Sequence, residues 1–167
     1  SFTKVLISMV SAFFAAFAKS PAEWQAIASK ATVSLDQAIA KAAEAGKGTV
    51  IDIELDDGDG AGPRFESKVA TPAGETLEIW VNAATGEATL HKPKGKTDSK
   101  DVKRMKDAKI TVAQAVESAL KATPGTPIAA ELDSDWGKTS YQVEVLQQDG
   151  TVKKVKIDAA DGSHTRS

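Results

Sequence analysis

Ile51-Asp-Ile-Glu-Leu-Asp56 is the stretch that decides the fold, because it returns as Ile128-Ala-Ala-Glu-Leu-Asp133, 77 positions later. In the first copy apolar and acidic residues alternate, which indicates a strand with one buried face. The surrounding sequence repeats as well. Asn82-Ala-Ala-Thr-Gly86 returns as Asp158-Ala-Ala-Asp-Gly162, 76 positions later, so one residue is missing from a loop between the two motifs. The chain is therefore a tandem repeat, and one unit is the object to interpret.

Each unit opens with a capped amphipathic helix. Ser34 with Gln37, and Thr111 with Gln114, have the spacing of a capping box, in which hydroxyl and amide side chains satisfy free backbone groups of the first turn. Apolar residues follow at helical spacing and predict one buried face per helix. These residues are Leu35, Ala38, Ile39 and Ala42 in the first unit, and Val112, Ala115, Val116, Ala119 and Leu120 in the second.

Three strands follow each helix. After the duplicated first strand, an aromatic residue opens the second strand, at Phe65 or Tyr141. Ala73-Gly74 and Asp149-Gly150 predict tight hairpins into the third strand. A short extra strand is expected at Glu87–Leu90 in the first unit.

The predicted fold class is α+β: two tandem α-β-β-β units, each an antiparallel meander with one helix packed on one face, preceded by an apolar N-terminal helix. The expected boundaries are 1–31 for that helix, 32–91 for the first unit, 92–109 for a basic linker and 110–167 for the second unit.

Composition narrows the function. The chain has 167 residues, a formal net charge of −2 and no cysteine. The charge argues against a nucleic-acid partner. The lack of cysteine excludes disulfides, thiolate metal sites and thiol nucleophiles.

The first eighteen residues allow three interpretations. Val5–Ala18 is an apolar run that follows Lys4 and ends in small residues, as in a secretory signal. From Phe2 to Ala18 the segment has 17 residues, which is near the minimum length for a membrane anchor, and an apolar helix can also pack in the core of a complex or filament. Retention is expected, with the helix continuing through Glu23–Lys30. Both the signal and the anchor interpretation place the rest of the chain outside the cytoplasm. The expected membrane or assembly contacts are Phe2, Leu6, Phe13, Phe14, Phe17 and Trp24.

The ordered motifs resemble the PepSY domain family. The resemblance rests on the capped helix Ser34–Ala45, the hydrophobic–acidic strand, the aromatic-led strand and the endings Ile79-Trp-Val-Asn-Ala-Ala-Thr-Gly86 and Val155-Lys-Ile-Asp-Ala-Ala-Asp-Gly162. It covers about two thirds of the chain, in two copies. It implies an extracytoplasmic, non-catalytic protein without cofactors, since such domains occur in protease propeptides and envelope proteins.

Few residues suggest chemistry. No catalytic or cofactor-binding residue is predicted. The weak metal candidates are Asp56, Asp57 and Asp59, whose carboxylates lie on a glycine-rich loop. Their spacing does not match an EF-hand, and Asp-Gly is also ordinary turn chemistry.

Partner contacts are expected on the outer sheet faces. Trp80 should point away from the core, and Trp is frequent at binding hot spots; packing within the chain is the alternative. Glu78 lies beside it. In the second unit Lys153, Lys154 and Lys156 replace Leu77, Glu78 and Trp80, which makes that face basic. Trp136 is expected to fold over the edge of the second unit, and outer strands could accept a partner strand.

The sequence thus predicts a non-catalytic, extracytoplasmic protein-binding module anchored by its N-terminal helix. Its partner would be another envelope protein or copies of itself, with the membrane as a further contact. The basic stretch Lys92–Lys109 would be a solvated linker, or would touch anionic head groups or an acidic partner. The alternatives are a structural subunit of a membrane complex or filament and, more weakly, a protease-inhibitor-like or metal-binding envelope protein.

Overall fold

The computed structural model describes residues 19–165. Its helices are α1 (Pro21–Lys30), α2 (Leu35–Gly46), α3 (Ser99–Asp107) and α4 (Val112–Ala122). Its strands are β1 (Thr49–Asp56), β2 (Arg64–Ala70), β3 (Glu75–Asn82), β4 (Ala88–Lys96), β5 (Thr126–Asp135), β6 (Lys138–Leu146), β7 (Val152–Asp158) and β8 (His164–Thr165). The α+β class and the repeated helix-then-strands order are confirmed.

The two units share one sheet. All eight strands pair antiparallel in the order β4-β3-β2-β1-β5-β6-β7-β8. The units meet where β1 pairs with β5, through Asp52, Ile53 and Glu54 opposite Glu131, Ala130 and Ala129. We call this junction the seam. The seam lies in the middle of the sheet, with four strands of one unit on each side.

One face of the sheet is covered by α2 and α4, which contact each other and both pack on β5. Their apolar stripes and the inward strand residues form a single hydrophobic cluster, as the alternation predicts. Phe65, Ile79 and Val81 from one unit and Tyr141, Val155 and Ile157 from the other are all buried in it. Both predicted capping boxes form, so each helix begins where the sequence indicates.

The structural repeat is longer than the predicted unit. The helices α1 and α3 each precede the capped helix of their unit, and strands β4 and β8 each follow the third strand. The range 92–109, expected as a linker, contains the end of β4 and all of α3. Asp98 caps α3, and its side chain accepts a hydrogen bond from the backbone N–H of Lys100 at 2.7 Å. Each unit therefore has two helices and four strands.

The expectation of one continuous N-terminal helix is wrong at Ser20. This residue has extended backbone angles, and its side chain forms a capping box with Glu23 that starts α1 anew. Pro21 then occupies the first helical position, where its missing N–H has no helical partner to lose. Residues 1–18, including Phe2, Leu6, Phe13, Phe14 and Phe17, lie outside the described residues.

Candidate functional site

The face of the sheet opposite α2 and α4, called here the open face, is polar across both units. Side chains along it alternate with the buried ones, as pleating requires. At the seam it forms a shallow depression of 140 Å³. Its polar lining comes from four strands: Asp52, Glu54, Glu131, Gln142, Glu144 and Lys154.

The carboxylates at the seam repel one another. Asp52 lies directly opposite Glu131, and burial followed by the charge of Glu131 raises the pKa of Asp52 to about 6. The Lys68 Nζ atom, 3.8 Å from the Asp52 carboxylate, offsets only part of this. Burial also raises the pKa of Glu54, with Glu66 adding to it.

Glu131, in the second unit, also has a raised pKa. Burial raises its pKa, and the neighbouring charges of Asp133 and Glu144 raise it further. Arg104 and Lys154 act in the opposite direction but do not cancel the effect. The seam therefore holds several carboxylates whose charges the surrounding residues do not fully compensate.

Trp80 lies on the open face, as predicted, but its ring is already covered. The Arg64 guanidinium lies 3.6 Å from the ring centroid on one face. The His91 ring stacks on it at 3.6 Å between centroids with an interplanar angle of 9°. The indole Nε1 is buried and has no hydrogen-bond partner among the described residues. Arg64 and His91 thus cover the faces of the indole ring that a partner would have to contact.

The residues around Trp80 form a charged network. Glu78 lies 3.6 Å from His91 Nε2 and 4.0 Å from Lys94 Nζ. Arg64 pairs with Glu66 at 2.7 Å and so is held over the indole. This half of the open face presents ion pairs around a covered aromatic ring.

The lysines of the second unit have different environments. Lys154 lines the depression at the seam, on the β7 side of Glu144. Lys156 is half-buried, and its Nζ lies 3.7 Å from Asp135. Lys153 is exposed. The structure therefore brings Lys154 alone of the three into the depression.

Two equivalent apolar hollows lie on the helix-covered side, and sequence reasoning missed them. The larger, 520 Å³, lies between α2, α3 and the start of α4; the smaller, 310 Å³, lies between α1 and the start of α2. Corresponding residues of the repeat line both hollows: Ala28 and Met105, Ala31 and Ala108, Leu55 and Leu132, Phe65 and Tyr141. The available signal was the alanine that follows each of these helices at corresponding positions, Ala31 after α1 and Ala108 after α3.

Comparison with known proteins now identifies the fold's family. The model of the PepSY family, described as "Peptidase propeptide and YPEB domain", matches residues 32–90 and 109–163. This chain belongs to the PepSY family. The two matched ranges correspond to the two copies read from the sequence.

Two proteins are similar over longer stretches. Uncharacterized protein YkoJ of Bacillus subtilis (strain 168) is 32% identical over 115 residues, which are 69% of this chain and 62% of YkoJ. The chain thus spans less than two thirds of that relative. A Clostridium difficile 630 protein described as a putative lipoprotein (CD1622) has a crystal structure that matches with a TM-score of 0.46 and 23% identity, over 80% of this chain and 91% of that one.

The acidic loop of the first PepSY unit is occupied by turn contacts. The Asp56 carboxylate accepts from the Gly58 N–H at 2.9 Å, and that of Asp57 accepts from the Asp59 N–H at 3.0 Å. Arg64 Nη2 lies 3.7 Å from Asp56. Within residues 19–165, no group of three or more acidic or histidine side chains is arranged to hold a metal ion.

The other two tryptophans have different environments, and Trp136 differs from expectation. Trp24 is half-buried and packs on this chain's own hydrophobic core, with Lys19 Nζ 5.2 Å from its ring centroid. Trp136 does not fold over the second PepSY unit, since it is 98% exposed at the hairpin between β5 and β6. In the part of the chain that the structure describes, no helix has the length and apolar character needed to cross a membrane.

Proposed function

We propose that this chain is a non-catalytic, extracytoplasmic protein-binding module that holds its partner across the open face. The observation that carries the proposal is the seam. There the two PepSY units merge into one polar surface whose central carboxylates are partly desolvated and mutually repulsive. A partner segment bearing lysine or arginine side chains would relieve that repulsion on binding.

The extracytoplasmic location is supported by sequence. Val5–Ala18 has the pattern of a secretory signal or anchor, and PepSY domains are typically found outside the cytoplasm. Because the Trp80 ring is already covered, we place the expected contact at the seam, where Glu131 and Lys154 line the depression, and not on the outer strands of the first unit.

Site-specific photo-crosslinking in the native cell envelope tests the open face. A photoreactive residue at Gln142, on the open face, is compared with one at Lys41, on the exposed side of α2. We expect a discrete adduct from position 142 alone, identified by mass spectrometry as one partner chain. The adduct should disappear with Glu131→Lys and persist with the matched reversal Glu117→Lys on α4. Equal adducts from both positions, or none from position 142, would refute the proposal.

The identity of the crosslinked chain also distinguishes the binding module from the alternative function, a structural subunit. A structural subunit of a complex or filament would crosslink to a second copy of this chain, whereas a binding module would crosslink to a different protein. Intact-mass analysis of the native protein adds whether residues 1–18 are present, which an anchor or an assembly-core helix requires.

A further inference from the structure

The larger hollow on the helix-covered side, of 520 Å³, is a mostly apolar space at one end of the sheet. Its apolar lining includes Ile39 and Ala43 of α2, Met105 of α3 and Leu132 of β5. Among the described residues that line it, Asp36 is the charged one. An apolar space with a single carboxylate suits an apolar group that also carries a hydrogen-bond donor.

Helix α3 supplies less apolar surface beside this hollow than its equivalent α1 supplies in the first unit. Trp24 and Ile27 of α1 pack on the hydrophobic core. The corresponding positions of the repeat hold Asp101 and Arg104, which pair with each other at 2.9 Å, and α3 packs on the core through Met105. The second unit therefore has no indole at this position, and its hollow is larger than that of the first, 520 against 310 Å³.

An indole without a contact is nevertheless present in the second unit. Trp136, in the hairpin between β5 and β6, is 98% exposed. It forms a two-residue turn with Gly137, and its own φ is 53°. A bulky residue at positive φ is strained, and Asn-Gly is the pair that such a turn favours. No contact within the described residues compensates that strain, so we expect a contact outside the chain to hold the indole.

The surroundings of Trp136 are close to neutral. The ion pairs next to it are Lys138–Asp158, Lys156–Asp135 and Lys103–Asp107. The charge of Lys100 is balanced by Asp98, whose side chain accepts a hydrogen bond from the Lys100 backbone N–H. The centres of protein interfaces are depleted of charge and enriched in tryptophan. The hairpin therefore fits an apolar cavity of a protein better than a charged surface.

Trp136 and the larger hollow lie at the same end of the sheet. Strand β1 begins at Thr49, which lines the hollow, and β5 ends at Asp135, next to Trp136. Because β1 and β5 are antiparallel, the start of one strand and the end of the other are at the same end. A projecting group and a cavity so placed can be satisfied reciprocally about a two-fold axis, which closes the assembly at two copies.

We propose that two copies of this chain form a two-fold symmetric dimer in which Trp136 of each copy inserts into the larger hollow of the other. The indole Nε1–H would donate to the Asp36 carboxylate. Burial and the nearby charge of Glu117 raise the pKa of Asp36, and a hydrogen-bond donor would offset both effects. The contact would bury about 600 to 1,000 Å² in total, counting two indoles and the hollows that receive them. An interface of that size corresponds to a weak, concentration-dependent dimer.

The dimer would use neither the chain's apolar beginning nor the open face. Pro21 lies against Gly150, in the hairpin between β6 and β7, which is at the opposite end of the sheet from Trp136. Residues 1–18 therefore join the described part of the chain at the end away from the hollow. The open face lies on the other side of the sheet, so self-association and the partner binding proposed there are independent.

Photo-crosslinking of the full chain tests the contact. Benzoylphenylalanine, an aromatic photoreactive residue, replaces Trp136 in one sample, which is mixed with isotope-labelled full chain and irradiated. We expect adducts that join an unlabelled chain to a labelled one and that mass spectrometry maps to the lining of the larger hollow, with the partner's Met105 among the sites. Adducts confined to one chain, adducts on residues 1–18 or the absence of any adduct would overturn the proposal.

Variants of the labelled chain locate the receiving site. Ala40→Phe adds a ring at an exposed position of α2 that lines the hollow, and it should lower the adduct yield at least about tenfold. Ala45→Phe, at an exposed position of the same helix outside the lining, is the matched control and should change the yield less than about twofold. Equal effects of the two variants would rule out the hollow as the receiving site.

Tryptophan fluorescence gives an independent measurement without a photoreactive residue. The emission should shift to shorter wavelength as the protein concentration rises, because the Trp136 indole leaves water on dimerisation. Trp136→Asn supplies the residue that this turn prefers and should abolish the shift, since Trp24 and Trp80 already pack within the chain. The variant keeps residues 1–18, so a shift of equal size in it would show association through another surface and would refute the role of Trp136.

Discussion

Replacing Asp52 by Asn should stabilise the protein at neutral pH and have no effect in acid. Folding raises the Asp52 pKa from 3.8 to about 6, so the folded state disfavours the ionised form. The resulting penalty is fully present above about pH 6 and disappears as pH falls towards the unfolded pKa of 3.8. Two pKa units correspond to about 3 kcal/mol.

That figure is an upper limit, because the Asp52 side chain keeps 35% of its surface exposed and solvent screens its charge. Reducing it by about half gives a gain of roughly 1 to 1.5 kcal/mol for Asp52→Asn at pH 8. This figure already allows for the lost contact with Lys68, because Lys68 lowers the Asp52 pKa and its effect is contained in the value of about 6.

Urea unfolding at pH 8, 6 and 4 measures this effect, and the quantity to follow is the difference in unfolding free energy between variant and original protein. We expect the difference to be largest at pH 8 and to vanish near pH 4. Asp149→Asn serves as a control of opposite sign, since hydrogen bonds from Thr151 lower the pKa of Asp149 and its contribution is lost as pH falls. A constant difference for Asp52→Asn, or one that grows in acid, would refute the reasoning.

Three further substitutions test the fold. Gly48→Ala should destabilise by about 2 to 3 kcal/mol, because a Cβ there would lie 2.2 Å from the carbonyl oxygen of Ala70; an unchanged melting temperature would contradict the close approach. Ser34→Ala should cost about 1 kcal/mol in urea unfolding through loss of the N-cap, whereas Ser34→Asn should restore it. Tyr141→Phe should cost about 1 kcal/mol by removing the hydroxyl that donates to the Ile110 carbonyl at 2.8 Å, with no change in far-ultraviolet circular dichroism.

The local architecture of each unit is readable from sequence because its signals are local. A hydroxyl and a glutamine three residues apart mark where each helix begins, and alternation along Ile51–Asp56 marks the buried side of a strand. The outward direction of Trp80 follows from the same alternation. Its covering by Arg64 and His91 does not, because those residues come from neighbouring strands whose register the sequence leaves open.

The helix α3 was missed because charge dominates its composition. Lysines and aspartates outnumber Val102 and Met105, and the preceding Pro93 and Gly95 indicate a loop. The helix is nonetheless amphipathic, since Met105 packs against the hydrophobic core. The capping residue Asp98 was the signal that could have identified it.

The pairing of β1 with β5 at the seam could not be predicted from the sequence, for a different reason. Each first strand could have paired with several other strand edges, and the pairing of β1 with β5 brings together residues that are 75 to 79 positions apart. It is also a short junction, with three residue pairs against seven between β2 and β3. Because the charge of Glu131 disfavours ionised Asp52 across it, the strand pairing that joins the two units should respond to a bound cation or proton. A ligand at the seam would therefore act on the coupling between the units, which neither unit could offer alone.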